Sequence, residues 1–243
     1  MEPAIILLTV GAYGLAAYLW WAEHTPNYFV ALLAGHVGSL PSPLWQRLYR
    51  FSYSAGFQPA SLEMLGHSLP QIVLIAAWTM MIPPLIVFWL YRHRWWFPGY
   101  LTGLLTYALF VVYHFVVETV GVRAGWWAYE QAASLPLGLS VTLLSALMNG
   151  LVSLGLVSLL TLTRRYAWQS LLLLLLPMPL VLSLFVNGLL GAPLYTVLLL
   201  RGMLPSQGWA GVIGLIGTLG LLFWGAHIVA SSIDGQRAGR HAV

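Results

Sequence analysis

The sequence predicts an all-α fold: a polytopic transmembrane helical bundle of about six helices, forming a single integral membrane domain over residues 1–243. Three observations predict it. Of the 243 residues, 60% are hydrophobic and 7% charged, whereas a soluble domain carries about 25% charged residues to cover its wet surface. The apolar residues are grouped in runs that approach or exceed the roughly 20 residues needed to cross a bilayer. Those runs lack the period-two alternation of a membrane barrel, and in lipid only helices and closed barrels satisfy their own backbone.

Helix 1 is expected over 4–22, ending on the interfacial anchor Trp20-Trp21. Residues 23–67 are mixed. Their two short apolar stretches, 28–39 and 43–53, flank Leu40-Pro41-Ser42-Pro43 and read as interfacial or re-entrant. Helix 2 covers 68–91 and should kink at Pro83-Pro84. The charged, aromatic connection Arg92-His93-Arg94-Trp95-Trp96 leads to helix 3, over 98–121. Helix 4 covers 137–162 and stops at Arg164-Arg165. Helix 5 covers 168–190 with Pro177 and Pro179, residues 191–207 form a loop or half-helix, and helix 6 covers 208–231. Gly208, Gly211, Gly214, Gly217 and Gly220 space helix 6 by threes, which reads as a smooth ridge for helix packing.

Arginine placement orients this layout. The connections after helices 2, 4 and 6 hold Arg92, Arg94, Arg164, Arg165, Arg237 and Arg240. The opposite ones hold Arg47, Arg50, Arg123 and Arg201. Six against four puts the first set inside. Both termini of this multi-pass protein of the cell membrane are then cytoplasmic; a spanning 191–207 would make seven helices and move the C-terminus outside.

Composition excludes several functions. There is no cysteine, hence no disulfide, thiolate ligand or cysteine nucleophile. There is no lysine for a Schiff base, and no Walker A or Rossmann fingerprint. The net charge of +4 comes from arginines in short connections, so it marks membrane topology and no nucleic-acid partner. Glu2 and the missing basic start make the first apolar run a retained helix instead of a cleaved signal.

Ionisable groups inside lipid are costly and are usually kept for function. Glu118 lies in the outer third of helix 3, with His114 four residues earlier on the same face and Tyr113 beside it. Asn149 lies near the middle of helix 4 and Asn187 in the outer part of helix 5. Glu63 and His67 precede helix 2 on the same outer side. His114 and Glu118 have the spacing of two metal ligands, but two are too few and no second such pair exists. Haem would need axial histidines, and His114 and His227 lie at different depths. A structural pairing of Glu118 with His114 or Arg123 is a further reading. An acid–base role is the one developed below: a carboxyl in an apolar pocket holds its proton near neutral pH and can deliver it.

Helix 3 runs into Glu118-Thr119-Val120-Gly121-Val122-Arg123-Ala124-Gly125-Trp126-Trp127-Ala128-Tyr129, and Pro136 follows. The glycines permit close backbone approach. The aromatics fit either an interfacial belt or the wall of a pocket for a flat apolar molecule, where aromatic faces stabilise positive charge. Glu118, Gly121, Gly125, Trp127, Tyr129 and Pro136 resemble the membrane-bound carotenoid-modifying enzymes, of the lycopene cyclase and carotenoid hydratase type, over about 20 residues. The Pro-x-Glu-Glu motif of those cyclases has no counterpart, since Leu137-Gly138-Leu139 follows Pro136. The His114-x-x-x-Glu118 pair is similar to that of sterol isomerases of the emopamil-binding type.

Both resemblances imply cofactor-independent acid–base chemistry on a carbon–carbon double bond: cyclisation, hydration or isomerisation of an isoprenoid or similar lipid. In that reading Glu118 is the proton donor and His114 tunes it. Trp126, Trp127 and Tyr129 shape the pocket, Asn149 and Asn187 bind the substrate's polar end or a water, and Tyr113, His67 and Glu63 are further substrate-binding candidates. The principal rival is a non-catalytic transmembrane subunit of a larger complex that carries pigments or quinones, or a homo-oligomer. A small transporter with Pro-kinked moving helices is the third reading.

Overall fold

The computed structural model describes residues 2–57, 60–96, 99–129, 135–165, 173–200 and 208–238. Six of its helical segments are long and apolar enough to cross a membrane: Pro3–Glu23, Gln71–Arg92, Tyr100–Arg123, Val141–Thr163, Leu173–Leu190 and Gly208–Ile233. The protein is thus an all-α membrane bundle. The expected beginnings of helices 3 and 5, residues 201–207 and Arg240 lie outside the described residues.

In chain order the elements are α1 (Glu2–Glu23), α2 (Asn27–Gly38), α3 (Ser42–Tyr49), β1 (Phe51–Tyr53), β2 (Ala60–Met64), β3 (His67–Pro70), α4 (Gln71–Ala76) and α5 (Ile82–Arg92). Then come α6 (Tyr100–Arg123), β4 (Trp127–Tyr129), α7 (Val141–Arg165), α8 (Met178–Ser183), α9 (Ala192–Leu200) and α10 (Gly208–Ala238). Among the spans, α7 is the most enclosed and α1 the most peripheral. Leu144, Met148, Leu154, Leu156 and Leu160 of α7 are fully buried, so this helix forms the axis of the core.

The first two spans meet at their C-terminal ends. Glu23, at the end of α1, forms an ion pair with Arg92 at the end of α5. Thr25 accepts a hydrogen bond from the same guanidinium. Spans whose C-terminal ends meet run in the same direction. The return is made by α2 and α3. Tyr28 packs on Phe88, whereas His36 reaches back to the carbonyl of Leu74. Gly35 seats directly on the backbone of Trp78, where a Cβ would be too close. At the far end of the bundle, Gly103 of α6 lies against Ala230 of α10, so the end of α10 lies with the ends of α1 and α5. The start of α1 and the end of α10 therefore lie at opposite ends of the bundle.

Proline explains two breaks. Pro83 and Pro84 stand at the first positions of α5, where missing N–H groups cost least, and a 3₁₀ segment, Ala77–Met81, joins it to α4. Pro177 precedes α8, and a π-helical segment, Leu184–Leu190, carries that span onward. Pro136 opens only a short 3₁₀ turn. Helix 4 begins later than expected, at Val141, where the Ser140 hydroxyl caps the N–H of Leu143.

The glycine ridge of α10 is only partial. Gly211 and Gly214 are buried and Gly217 faces Pro193, but Gly208 and Gly220 are exposed. Three residues turn a helix by about 300°, so a spacing of three winds around the axis. Of residues 191–207, Ala192–Leu200 form α9 and the rest lies outside the described residues.

Two small sheets were not expected. β1 pairs antiparallel with β4, and β2 with β3. Strands of three to five residues carry too little alternation to be read in an aromatic, apolar context.

Candidate functional site

α6 and α7 form the most extensive helix pairing in the bundle, and Glu118 sits at its upper end. The carboxyl takes donors from two other elements. Trp127 Nε1 donates to Oε2 at 3.0 Å, and Tyr129 Oη donates to the same oxygen at 3.1 Å. Ser145 Oγ, on α7, donates to Oε1 at 2.5 Å. Asn149 Nδ2, one turn further along α7, donates to Ser145 Oγ at 3.3 Å. Glu118 thereby ties α6, α7 and β4 together. Among the described residues no ion pair joins it to Arg123.

The local sequence dictates this geometry. After α6 the chain turns back at Gly125, whose φ of +67° suits glycine. The amide of Trp126 closes the turn on the carbonyl of Gly121. A Cβ on Gly121 would fall inside the indole of Trp127. Gly121 is therefore the seat that lets Trp127 lie flat on α6 and reach a carboxylate one turn earlier. Gly125 serves the turn, not close packing as expected.

The β1–β4 ribbon covers the carboxyl. Its register opposes Phe51 to Tyr129, Ser52 to Ala128 and Tyr53 to Trp127. Side chains alternate faces along a strand, so Phe51, Tyr53, Trp127 and Tyr129 share one face, which Trp127 and Tyr129 show to be the Glu118 face. Ser52 and Ala128 point outward and are exposed. Tyr53 also bonds Ser42 at 2.8 Å. Burial, reinforced by the nearby Glu118 charge, pushes the Tyr53 phenol up to about 12. Burial pushes Tyr129 well above the usual tyrosine range, with Glu118 adding to it. Both phenols remain neutral donors across the physiological range.

The other expected residues divide into three groups. Asn149 joins the Glu118 network through Ser145. His114 does not touch the carboxyl: its Nε2 bonds Ser153 Oγ at 2.8 Å, and its ring meets Tyr113 edge-on at 5.2 Å. Asn187 belongs to a neighbouring cluster, where its Nδ2 and the indole of Trp45 both donate to Ser183 Oγ. Tyr49 joins this cluster to α7, with its hydroxyl 2.6 Å from the carbonyl of Asn187 and 3.5 Å from the sulfur of Met148. Trp126 is half-buried, and its carbonyl accepts from the amide of Ser54. Glu63 and His67 sit apart, on the β2–β3 hairpin opposite Ser68 and Met64. His227 bonds Tyr100, at the other end of α6.

Ser145, Ser153, Tyr53 and Phe51 were not anticipated. A signal existed for two of them. Ser145, Asn149 and Ser153 recur every four residues, a polar stripe along the first half of α7. Phe51 and Tyr53 gave no signal, because they reach the site only through strand pairing with residues 127–129.

Among the described residues, Oε2 accepts two hydrogen bonds and Oε1 accepts one, so Oε1 is the less engaged oxygen of the carboxyl. The site is a carboxyl under an aromatic cover. Among the described residues no three His, Cys, Asp or Glu side chains gather to hold a metal ion. No protein-family model, curated protein or solved structure matches the chain.

Proposed function

We propose that this protein is a membrane-embedded enzyme that exchanges a proton between Glu118 and a carbon–carbon double bond of an isoprenoid or similar apolar lipid. The outcome is cyclisation, hydration or isomerisation, and no cofactor is needed. One observation carries the reading. A carboxyl inside a membrane span takes one described hydrogen bond on Oε1 against two on Oε2, and lies beneath four aromatic side chains of one ribbon face. Protonating an alkene leaves a carbocation, and aromatic faces stabilise positive charge where water is excluded. The residues that carry the resemblance to carotenoid-modifying enzymes also support it. Gly121 seats Trp127, Gly125 makes the turn, and Trp127 and Tyr129 hold Glu118.

α2 and α3 contain 12 and 8 residues. At ~1.5 Å per residue they supply about 30 Å of helix, enough for a broken crossing. In this reading the Arg92 end of the bundle is cytoplasmic, the N-terminus is outside and the C-terminus inside. Glu118 then opens toward the outer leaflet of the cell membrane.

The test is expression in cells that accumulate acyclic isoprenoids, with lipid and pigment profiles compared with and without the protein. A new cyclic, hydrated or isomerised product is expected, and an unchanged profile overturns the reading.

A second reading, a non-catalytic subunit of a pigment- or quinone-associated complex, is favoured by α1. This helix is the most peripheral span and exposes Leu7, Leu8, Val10 and Trp21. Its prediction is a stoichiometric, pigment- or quinone-bearing complex on purification in mild detergent.

A further inference from the structure

The geometry points to Ser145 as the positioning residue that places the exchangeable proton of Glu118 on Oε1, with Asn149 holding Ser145 in line. This rests on the proton-transfer reading of Glu118. Trp127 Nε1 is a donor that can never accept. While Tyr129 donates, its hydroxyl at 3.1 Å and the Trp127 N–H at 3.0 Å engage both lone pairs of Oε2. Oε2 is then the acceptor oxygen, and a proton on Glu118 is placed on Oε1.

The described partner of Oε1 is Ser145 Oγ, at 2.5 Å. A serine hydroxyl both donates and accepts, and its hydrogen rotates freely. When Glu118 is a carboxylate, Ser145 donates to it. When Glu118 is a carboxylic acid, Oε1–H donates and Ser145 accepts. Asn149 Nδ2 donates to Ser145 Oγ in the structure, which occupies one lone pair and directs the hydroxyl hydrogen toward Glu118. Ser145 thus pairs with Oε1 in both protonation states through one rotation of its hydroxyl hydrogen, with no rearrangement of the ribbon. The reacting carbon of a substrate must then approach Oε1, because Trp127 and Tyr129 occupy Oε2.

The test uses infrared spectroscopy of the purified full chain. The carboxyl stretch of Glu118, assigned by its loss in Glu118→Gln, is followed against pH in wild type, Ser145→Ala, Ser145→Thr and Asn149→Leu. Removing a donor to the charged form favours the protonated form. Ser145→Ala should shift the band to higher frequency and move its titration midpoint by about tenfold in proton concentration toward higher pH. Ser145→Thr keeps the hydroxyl and should restore both. Asn149→Leu should give a smaller shift in the same direction. An unchanged band and midpoint in Ser145→Ala overturns the proposal, as does a Ser145→Thr that behaves like alanine. The readout needs no substrate. A chain that changes no isoprenoid yet shows the Ser145 shift would defeat the enzymatic reading alone.

Discussion

The indole of Trp127 occupies the space that a side chain on Gly121 would need. Gly121→Ala should therefore push the ring off α6 and break its bond to Glu118. The expected cost is about 1–3 kcal/mol, the range for overpacking a filled site. Thermal unfolding in detergent measures it, and altered tryptophan fluorescence should accompany it. A Gly121→Ala protein as stable as wild type would show that the seat is not tight.

Glu118 satisfies three donors, so the way it is replaced matters. Glu118→Gln keeps an oxygen toward Trp127 and Tyr129 and turns its amide to Ser145, and should fold with nearly unchanged stability. Glu118→Ala leaves three donors without an acceptor and should lose about 3 kcal/mol or more. Unfolding of the two variants side by side checks this, and equal stabilities would contradict the network.

Much of this fold was legible in the sequence, because lipid-spanning runs are long and their composition is extreme. All six spans were located. Hydropathy records their length and not their sense. The α2–α3 return is broken at Leu40-Pro41, so neither piece reaches spanning length alone. Glu118, Trp127, Tyr129 and Asn149 were found as rare polar or aromatic groups in or beside a span. Their meeting point depended on strand pairing and on serine hydroxyls, which single-sequence patterns hide.

The direction of α1 gives a prediction of its own. The chain has no cysteine, so single cysteines report topology cleanly. Ala4→Cys and His93→Cys should react with an impermeant reagent from opposite faces of sealed vesicles. Labelling from the same face would restore the antiparallel layout and remove the α2–α3 crossing.

The Glu23–Arg92 pair is partly shielded, with side chains 16% and 23% exposed. Surface pairs contribute about 0–1 kcal/mol, whereas breaking a buried one costs about 3–5. Arg92→Ala should fall between, at about 2 kcal/mol. A double-mutant cycle with Glu23→Gln should show most of that loss as coupling, and additive losses would mean that the pair does not join α1 to α5.

Tyr53 and Tyr129 both have raised phenol pKa values in the folded state. An unfolded tyrosine ionises near pH 10. Below that the two states bind equal numbers of protons, and the stabilising contribution is full. Above it the unfolded chain loses protons that the folded chain keeps, so stability should fall as pH rises from about 10 toward 12. Unfolding at stepwise alkaline pH measures the slope. Replacing both residues with phenylalanine should flatten it, and an unchanged slope would place the effect elsewhere.

The central claim is that Glu118 moves a proton to or from a double bond. The most direct measurement is deuterium incorporation from heavy water into the isoprenoid pool of cells that express wild type or Glu118→Gln. Wild type should place solvent deuterium on a carbon of a new product. Glu118→Gln, folded and present at the same level, should slow that incorporation by about 10²-fold or more. Equal incorporation in the two, or none in wild type, would contradict the account.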